Sequence, residues 1–586
     1  MLLTVIVSFV LGFILIFLQS TDYKETWEYL KKSPSLYFLN SFPIMAFALI
    51  LEFFIGGVFA SLIAVNLFVI GAIVNRLKTL YRNDPLLPSD ILLGPEGVGI
   101  FIKGKYKIDY KLVFLYILIN LSLFIIFQQV NETEVEKSFL QVFLLFLVTI
   151  FTFFKIYGSD RIYNSFPSPS KTEKDQYMAK GFVYSFIYNI KFILPDKIDR
   201  VKLEKVLEES KAYRPEKLPN MPNIIMIMGE GFSDISDRIR DKKVDPLENF
   251  KNISREGISG NILVSSYGGG TADTEFDTLT GLSTPFVTEK GVYPHRFVKG
   301  KTLSIVRQLK DFGYYTKAMH PGASWFYKRN KVFKHLGFDE FSFEETFSKD
   351  DYLGQYVSEK ATYDKILKDI NYLEGKGSPF FYFTITIQNH GPHEYGKYPD
   401  KNMEFVGENY SKKAKEYLDT YLRGIYDMDR ELGRLKESLE RSDKPYIILY
   451  YGDHLPFLGK NDLAYKEIGM GIDRTKREGY FNYYKVPYLL WANAGGKDYL
   501  RKIEISENLY SANYLGSLLL DPVVDKAHPM YQFIRKMREE LPILSRVWIK
   551  ERGGLKAFKD ISPRGKTMLE KYKAYIGANL FRKMST

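Results

Sequence analysis

The chain has no cysteine in 586 residues. That excludes a disulfide framework, thiolate metal sites and a cysteine nucleophile together, while leaving the compartment open. The first apolar run does not read as a cleavable export leader. No basic residue precedes the first apolar run at 2–18 and no small-residue cleavage pattern follows Gln19, so the run reads as a retained anchor. Neither an internal repeat nor a nucleic-acid-binding module is visible. The formal net charge of +12 is spread along the chain instead of clustered, which points to anionic lipid headgroups and not to nucleic acid.

What is abundant is apolar sequence in the first quarter. Five runs, at roughly 2–18, 37–57, 59–75, 112–127 and 138–155, each come near the ~17–25 residues that cross a bilayer as a helix. The organisation this implies is a transmembrane domain over 1–157, a juxtamembrane linker over 158–219, a soluble domain over 220–525 and a basic, helical C-terminal extension over 526–586. The linker holds a Ser/Pro-rich stretch from Ser165 to Lys171, an amphipathic segment near 178–193 and a charged helical run, Lys202–Tyr213. Lying along a membrane surface and acting as a plain solvated linker are both open to it.

Five spans would put loops 19–36 and 76–111 on the same side as the large C-terminal domain. Those loops carry Lys24, Lys31, Lys32, Arg76, Lys78, Arg82, Lys103, Lys105 and Lys107, against little beyond Lys137 opposite. The positive-inside rule, taken alone, would make that side cytoplasmic.

From Pro222 onward, short apolar runs alternate with helical patterns, the signature of an α/β domain with a mostly parallel sheet. Four runs matter. Asn223 to Met228 leads to Gly229-Glu230, Tyr314 to Met319 to His320, Phe380 to Ile387 to Asn389-His390, and Tyr446 to Tyr451 to Gly452-Asp453-His454. Ligands bind beyond the carboxyl ends of strands in open α/β sheets. Four runs that each end on a metal-capable or acid–base residue therefore predict one shared site. Individually each has a bland reading: Glu230 as a helix-start carboxylate, Asp453 as a cap beside an ordinary histidine, His390 as a turn residue. Convergence decides against it. His393 reads as a turn histidine, and His295, His335 and His528 have no strand-end context.

A nucleophile candidate lies in the run Ser266-Tyr267-Gly268-Gly269-Gly270-Thr271-Ala272-Asp273-Thr274-Glu275-Phe276. Three glycines put the Thr271 hydroxyl at the tip of a tight turn. Asp273 to Leu279 reads as the start of a helix with acids in its first turn, where the macrodipole favours them. Thr271 thus falls near a helix N-cap, beside unsatisfied backbone donors. An ordinary cap does not need three glycines; a hydroxyl that must meet a phosphate and a metal does. Glu230, Asp453, His454 and Thr271 form a hard, mostly oxygen donor set that suits Mn²⁺ or Mg²⁺, with Zn²⁺ a further option. His320 opens a loop that runs through Tyr327 to Arg329, an arginine among aromatics able to clamp a phosphate. His390 could bind a substrate oxygen or protonate a leaving group.

Together the strand ending in Glu230, the glycine–threonine run, the Phe326-Tyr327-Lys328-Arg329-Asn330 segment, Asn389-His390 and Gly452-Asp453-His454 resemble lipoteichoic acid synthases. More broadly they resemble phosphoglycerol transferases of the sulfatase/alkaline phosphatase superfamily. The likeness runs from the apolar spans to about residue 525. It implies a bundle of about five transmembrane helices followed by an α/β, alkaline-phosphatase-like catalytic domain with a mostly parallel central sheet, the catalytic domain lying outside the bacterial cell membrane. On that likeness Thr271 would attack phosphatidylglycerol, release diacylglycerol and pass the phosphoglycerol to a polymer or glycan hydroxyl. Glu230, Thr271, Asp453 and His454 would hold manganese; His320, Tyr327, Arg329 and His390 would contact the phosphoglycerol. Tyr327 stands where relatives often have tryptophan, and Gly322 where synthases often have aspartate. The nearest alternative is a metal-dependent phosphodiesterase or sulfatase-type hydrolase, although the Cys/Ser-x-Pro-x-Arg motif of sulfatases is missing around Thr271. Phosphoethanolamine transferases usually carry several disulfides. A catalytically silent envelope scaffold would not need to keep every candidate ligand.

Overall fold

The computed structural model describes residues 2–55, 57–93, 110–129, 139–170, 172–195, 197–288, 293–399 and 403–581. It divides into two compact units at Leu194–Pro195, inside the stretch that composition sets apart as a connector.

The first unit is helical: α1 (Leu2–Leu18), α2 (Tyr23–Lys32), α3 (Ser35–Ile55), α4 (Gly57–Arg82), α5 (Tyr110–Gln129) and α6 (Phe139–Thr152). Among the described residues, three helices are long and apolar enough to cross a membrane: Ser35–Ile55, Phe59–Leu80 and Phe139–Tyr157. The first and fourth apolar runs form shorter apolar stretches, Thr4–Leu18 and Val113–Leu123. Lys103, Lys105, Lys107 and Lys137 of the loop charge count lie outside the described residues. Helix α1 packs closely on α3 because Gly12 has no side chain where Ser41 sits. Thr4 donates a hydrogen bond to Glu52 Oε2 at 2.8 Å across the same pair. Helix α2 is short and amphipathic, capped by Asp22, which accepts from the Glu25 amide, and it ends on Lys31 and Lys32.

Much of the connector is built into this unit. Helices α7 (Glu173–Lys180) and α8 (Phe182–Asn189) are joined by Gly181 at φ +86°, which lies against Asn40 of α3. Asn40 donates to Lys180 O at 2.8 Å and accepts from Tyr184 N at 3.1 Å. Phe182, Tyr184 and Tyr188 are buried. The segment behaves as a packed element and not as a plain solvated linker.

The second unit starts with α9 (Arg200–Lys211) and holds an eight-stranded sheet. Its strands are β1 (Asn223–Gly229), β2 (Ile258–Leu263), β3 (Tyr315–Met319), β4 (Glu340–Ser342), β5 (Phe380–Ile385), β6 (Tyr446–Gly452), β7 (Lys485–Ala492) and β8 (Leu509–Ser511). Their order is β8-β2-β7-β6-β1-β5-β3-β4. All neighbours pair in parallel except those of β7, which runs against β2 and β6. The four runs singled out by sequence are thus β6, β1, β5 and β3, side by side and parallel, with Gly229 level with Gly452 and Met228 with Ile385.

The sheet is buried on both faces, and the pleat sorts its residues. Ile224, Met226, Met228, Phe381, Phe383, Ile447 and Leu449 join one core. Ile225, Ile227, Phe380, Tyr382, Ile448 and Tyr450 join the other. Helix α10 (Thr271–Thr280) packs Phe276 and Leu279 into the first core, and α11 (Lys412–Glu440) packs Leu418, Leu422 and Ile425 into the second. Beyond β8 come α12 (Pro529–Glu540) and α13 (Pro563–Leu580), in the basic stretch expected to be helical. Between them lies a three-stranded antiparallel sheet, β9 (Ile543–Leu544), β10 (Trp548–Glu551) and β11 (Gly554–Ala557), which composition did not show. Tyr531, Ile534, Leu569 and Tyr572 of α12 and α13 are part of the first core.

Candidate active site

The glycine turn explains itself in backbone terms. Gly268, Gly269 and Gly270 sit at φ +63°, +138° and +92°, a run of positive values that side-chain-bearing residues rarely adopt. Helix α10 starts at Thr271 with Gly270 as its cap, so the hydroxyl belongs to the first helical residue and not to the cap itself. The turn is pinned to the loop after β6: Gly268 N–H donates to Leu455 O at 2.9 Å, and Thr274 Oγ1 to Asp453 O at 2.6 Å.

Four predicted residues meet at this point. Thr271 Oγ1 donates to Glu230 Oε2 at 3.2 Å. Ligating atoms of Glu230, Asp453 and His454 all lie within 4.8 Å of one another, and all three residues are buried. Asp453 Oδ1 is already occupied, accepting from Gly231 N at 2.7 Å and His454 N at 2.8 Å. Its Oδ2 is buried with no hydrogen-bond partner. The same holds for His454: Nδ1–H faces the Leu455 carbonyl at 3.3 Å, and Nε2 is left buried without a partner, 3.2 Å from Asp453 Oδ2 and 3.6 Å from Glu230 Oε1. Orphaned acceptors facing one another are costly unless a cation lies between them. With protein groups alone, burial and then Asp453 push Glu230 up to about 8, against the pull of His454, Thr271 and Arg329. Carboxylate oxygens, one imidazole nitrogen and a hydroxyl fit a divalent metal of the hard or borderline class.

The residues expected to contact substrate are placed as follows. His320, directly after β3, is buried and donates Nδ1–H to Ile385 O at 3.4 Å. Burial first, then Arg329, hold its imidazole well below the usual range and therefore neutral. A Cβ at Gly322 would come within 2.5 Å of His320 Nε2, so the imidazole occupies the space that a side chain at 322 would need. His390 is half-buried, its Nδ1 2.9 Å from Gly391 O and 3.1 Å from Tyr356 Oη. Tyr327 is buried at φ +56°, its ring against Phe326 and Tyr293. It supports Arg329, whose guanidinium lies 5.1 Å from the ring centroid. Arg329 is 1% exposed, and its Nε donates to Glu275 Oε2 at 2.9 Å.

Sequence reasoning missed several neighbours. Glu275 reads as an acid serving the helix dipole, although its spacing of four from Thr271 puts both on one face. Both polar atoms of the Asn389 carboxamide are buried without hydrogen-bond partners, and Gly424 of α11 leaves the room it fills. Lys397 Nζ is likewise buried with no hydrogen bond; burial lowers it to about 7 while Glu230 and Glu359 pull the other way.

The sulfatase family profile matches residues 222–523, which is more than half of the chain. The chain belongs to the sulfatase family. Among relatives, the chain is 26% identical over 469 residues to a Rhizobium meliloti (strain 1021) protein named for cyclic beta-1,2-glucan modification, covering 75% of this chain and 70% of that one. It is 28% identical over 270 residues to lipoteichoic acid synthase from Staphylococcus aureus (strain USA300), covering 43% of this chain and 40% of that one. The second match therefore spans well under half of the synthase. Among solved structures, the integral membrane lipooligosaccharide phosphoethanolamine transferase A from Neisseria meningitidis aligns with a TM-score of 0.55 at 11% identity, over 87% of this chain and 94% of that one. That likeness is one of fold, and it extends beyond the second unit.

Proposed function

We propose that the chain is a membrane-bound glycerophosphotransferase that uses Thr271 as its nucleophile, with phosphatidylglycerol as donor and a glycan hydroxyl as acceptor. The observation that carries this is the 3.2 Å contact between Thr271 Oγ1 and Glu230 Oε2, inside the buried set that also holds Asp453 and His454. Glu230, Asp453, His454 and the Thr271 oxygen would hold a divalent cation, manganese or magnesium, which lowers the pKa of a hydroxyl and stabilises phosphoryl charge when bound. Thr271 loses its hydroxyl proton to solvent and its Oγ attacks phosphorus, the bond to the diacylglycerol oxygen breaks, and that oxygen leaves with a proton. His390, half-buried in the loop after β5, is suited to give this proton and to take one from the incoming acceptor. Arg329, His320 and Tyr327 orient the phosphoglycerol. The acceptor oxygen then attacks the threonine phosphodiester and frees Thr271.

A glycan acceptor is favoured because the relative named for glucan modification matches along most of its own length, whereas the synthase match is partial. The packing of His320 against Gly322 also differs from an arrangement with an aspartate at that position. The test uses the full chain in detergent with Mn²⁺, phosphatidylglycerol vesicles and a cyclic glucan. Diacylglycerol release, a glycerophosphoryl mass on the Thr271 peptide and phosphoglycerol on the glucan are the expected results. Release at the wild-type rate from Thr271→Ala removes the nucleophile assignment, and free glycerol phosphate in place of modified glucan makes the protein a hydrolase.

A further inference from the structure

We propose that Glu275 sets the charge preference of the site: by cancelling Arg329, it makes the pocket select a monoanionic phosphodiester over a dianionic phosphomonoester. This rests on the phosphoryl-transfer reading above and adds a specificity-determining residue to it.

Glu275 lies one helical turn after Thr271 on the same face of α10, so whatever it holds is held at a fixed offset from the nucleophile. It holds Arg329, Nε to Oε2 at 2.9 Å, with the two side chains 1% and 0% exposed. An ion pair so buried is a poor source of stability, since desolvation of both charges offsets their attraction, and its presence calls for another role. With Nε taken, the Nη edge of the guanidinium remains as the two-pronged donor for phosphoryl oxygens. Through Glu275, Arg329 is tied to the helix that begins with Thr271, one turn from the nucleophile.

The charge balance then follows. A divalent cation would be matched by Glu230 and Asp453, and Arg329 is matched by Glu275. His295, whose Nε2 is 4.0 Å from Glu275 Oε1, adds nothing, because burial and then Arg329 lower it to about 3. Among the described residues, neither His295 nitrogen nor Glu275 Oε1 has a hydrogen-bond partner, so Arg329 is the group paired with this carboxylate. His320 is held neutral as well. Lys397 Nζ, buried without a hydrogen bond, lies 5.2 Å from the Tyr398 ring centroid, and among the described residues no ion pair joins it to Glu275. A site balanced in this way holds no unmatched cation, and because the cost of burying charge rises steeply with its size, a dianion is disfavoured there relative to a monoanion.

The wild-type chain tests this without any substitution. Loaded with Mn²⁺ in detergent, it is titrated calorimetrically with glycerophosphoglycerol, a diester with one charge at every pH used, and with glycerol phosphate, whose second proton leaves near about pH 6. From about pH 5 to about pH 7.5 the monoester should weaken relative to the diester by on the order of tenfold or more, and the same titration of Glu275→Gln at each pH separates the part due to Glu275 from that of other titrating groups. Glu275→Gln, which keeps size and an acceptor for Arg329 Nε, should shift the ratio toward the monoester by on the order of 10- to 100-fold at the higher pH. Glu275→Asp should restore the wild-type order. A ratio that stays flat with pH in wild type, or that Glu275→Gln in folded protein does not move, overturns the proposal and leaves the transfer reading standing. If Mn²⁺ raises the melting temperature yet neither ligand binds, the transfer reading falls and takes this proposal with it.

Discussion

At Gly270 a Cβ would meet Ser266 Cβ at 2.9 Å on a backbone already at φ +92°. Gly270→Ala should therefore cost about 1–3 kcal/mol of stability and move the Thr271 hydroxyl, lowering turnover more than binding. Urea unfolding and a comparison of kcat with KM would separate the two effects. Thr271→Ala should lose on the order of a thousandfold or more in diacylglycerol release while still taking up Mn²⁺ through Glu230, Asp453 and His454. Gly322→Asp would bring back the side chain common in synthases, but His320 Nε2 stands in its way at 2.5 Å. The variant should lose donor affinity instead of gaining a new contact, as vesicle-release KM values would show. These residues differ in how readable they are. The convergence of Glu230 and Asp453-His454 was legible because each follows an apolar run, and an apolar strand has few reasons to end on a metal-capable side chain. Glu275 was not, because an acid early in a helix already has a simpler explanation, and only the fold brings Arg329, 54 positions away, onto it.

Elements show the same division. Strands β1, β3, β5 and β6 were legible from short apolar runs, but the reversal of β7 was not, since a strand buried on both faces reads alike in either direction. Strands β9 to β11 are two to four residues long in a basic stretch and carry too little periodicity to register. Helix α12 offers a prediction of its own. It is capped by His528, whose Nδ1 accepts from Met530 N at 3.2 Å, and burial lowers this imidazole to about 4. The unfolded chain takes up the proton near the ordinary value of about 6.5, whereas the folded chain resists it until about 4. Stability should thus fall as pH drops through that window and be level on either side, because protonation removes the cap acceptor and puts a cation at the positive end of a helix. His528→Asn keeps a capping oxygen and should flatten this part of the melting temperature–pH curve; an unchanged slope would assign the acid sensitivity elsewhere.

The whole molecule joins an apolar helical unit to a sulfatase unit, and two of its properties are open to measurement. Because the ligand set is buried and cation-poor, Mn²⁺ at about 100 times its dissociation constant should add about 2.7 kcal/mol to the stability of the second unit, and chelation should remove it. Thermal scans of wild type and Asp453→Asn read this directly, the variant responding far less. The second property is sidedness. Lys24, Lys31, Lys32, Arg76 and Lys78 argue by charge for a cytoplasmic second unit, and the family likeness for an outward one. Protease added to intact cells should cut the second unit if it faces outward, as we propose; full protection would uphold the charge rule. Glu230 and Asp453 end adjacent strands, yet 222 residues of chain separate Gly231 from its bond to Asp453. Until residue 454 has been made and β6 has settled beside β1, there is nothing for a cation to bind. On the proposed reading, metal capture cannot precede residue 454, however early Glu230 and Thr271 emerge, and the ion taken is set by the supply where β6 comes to lie beside β1.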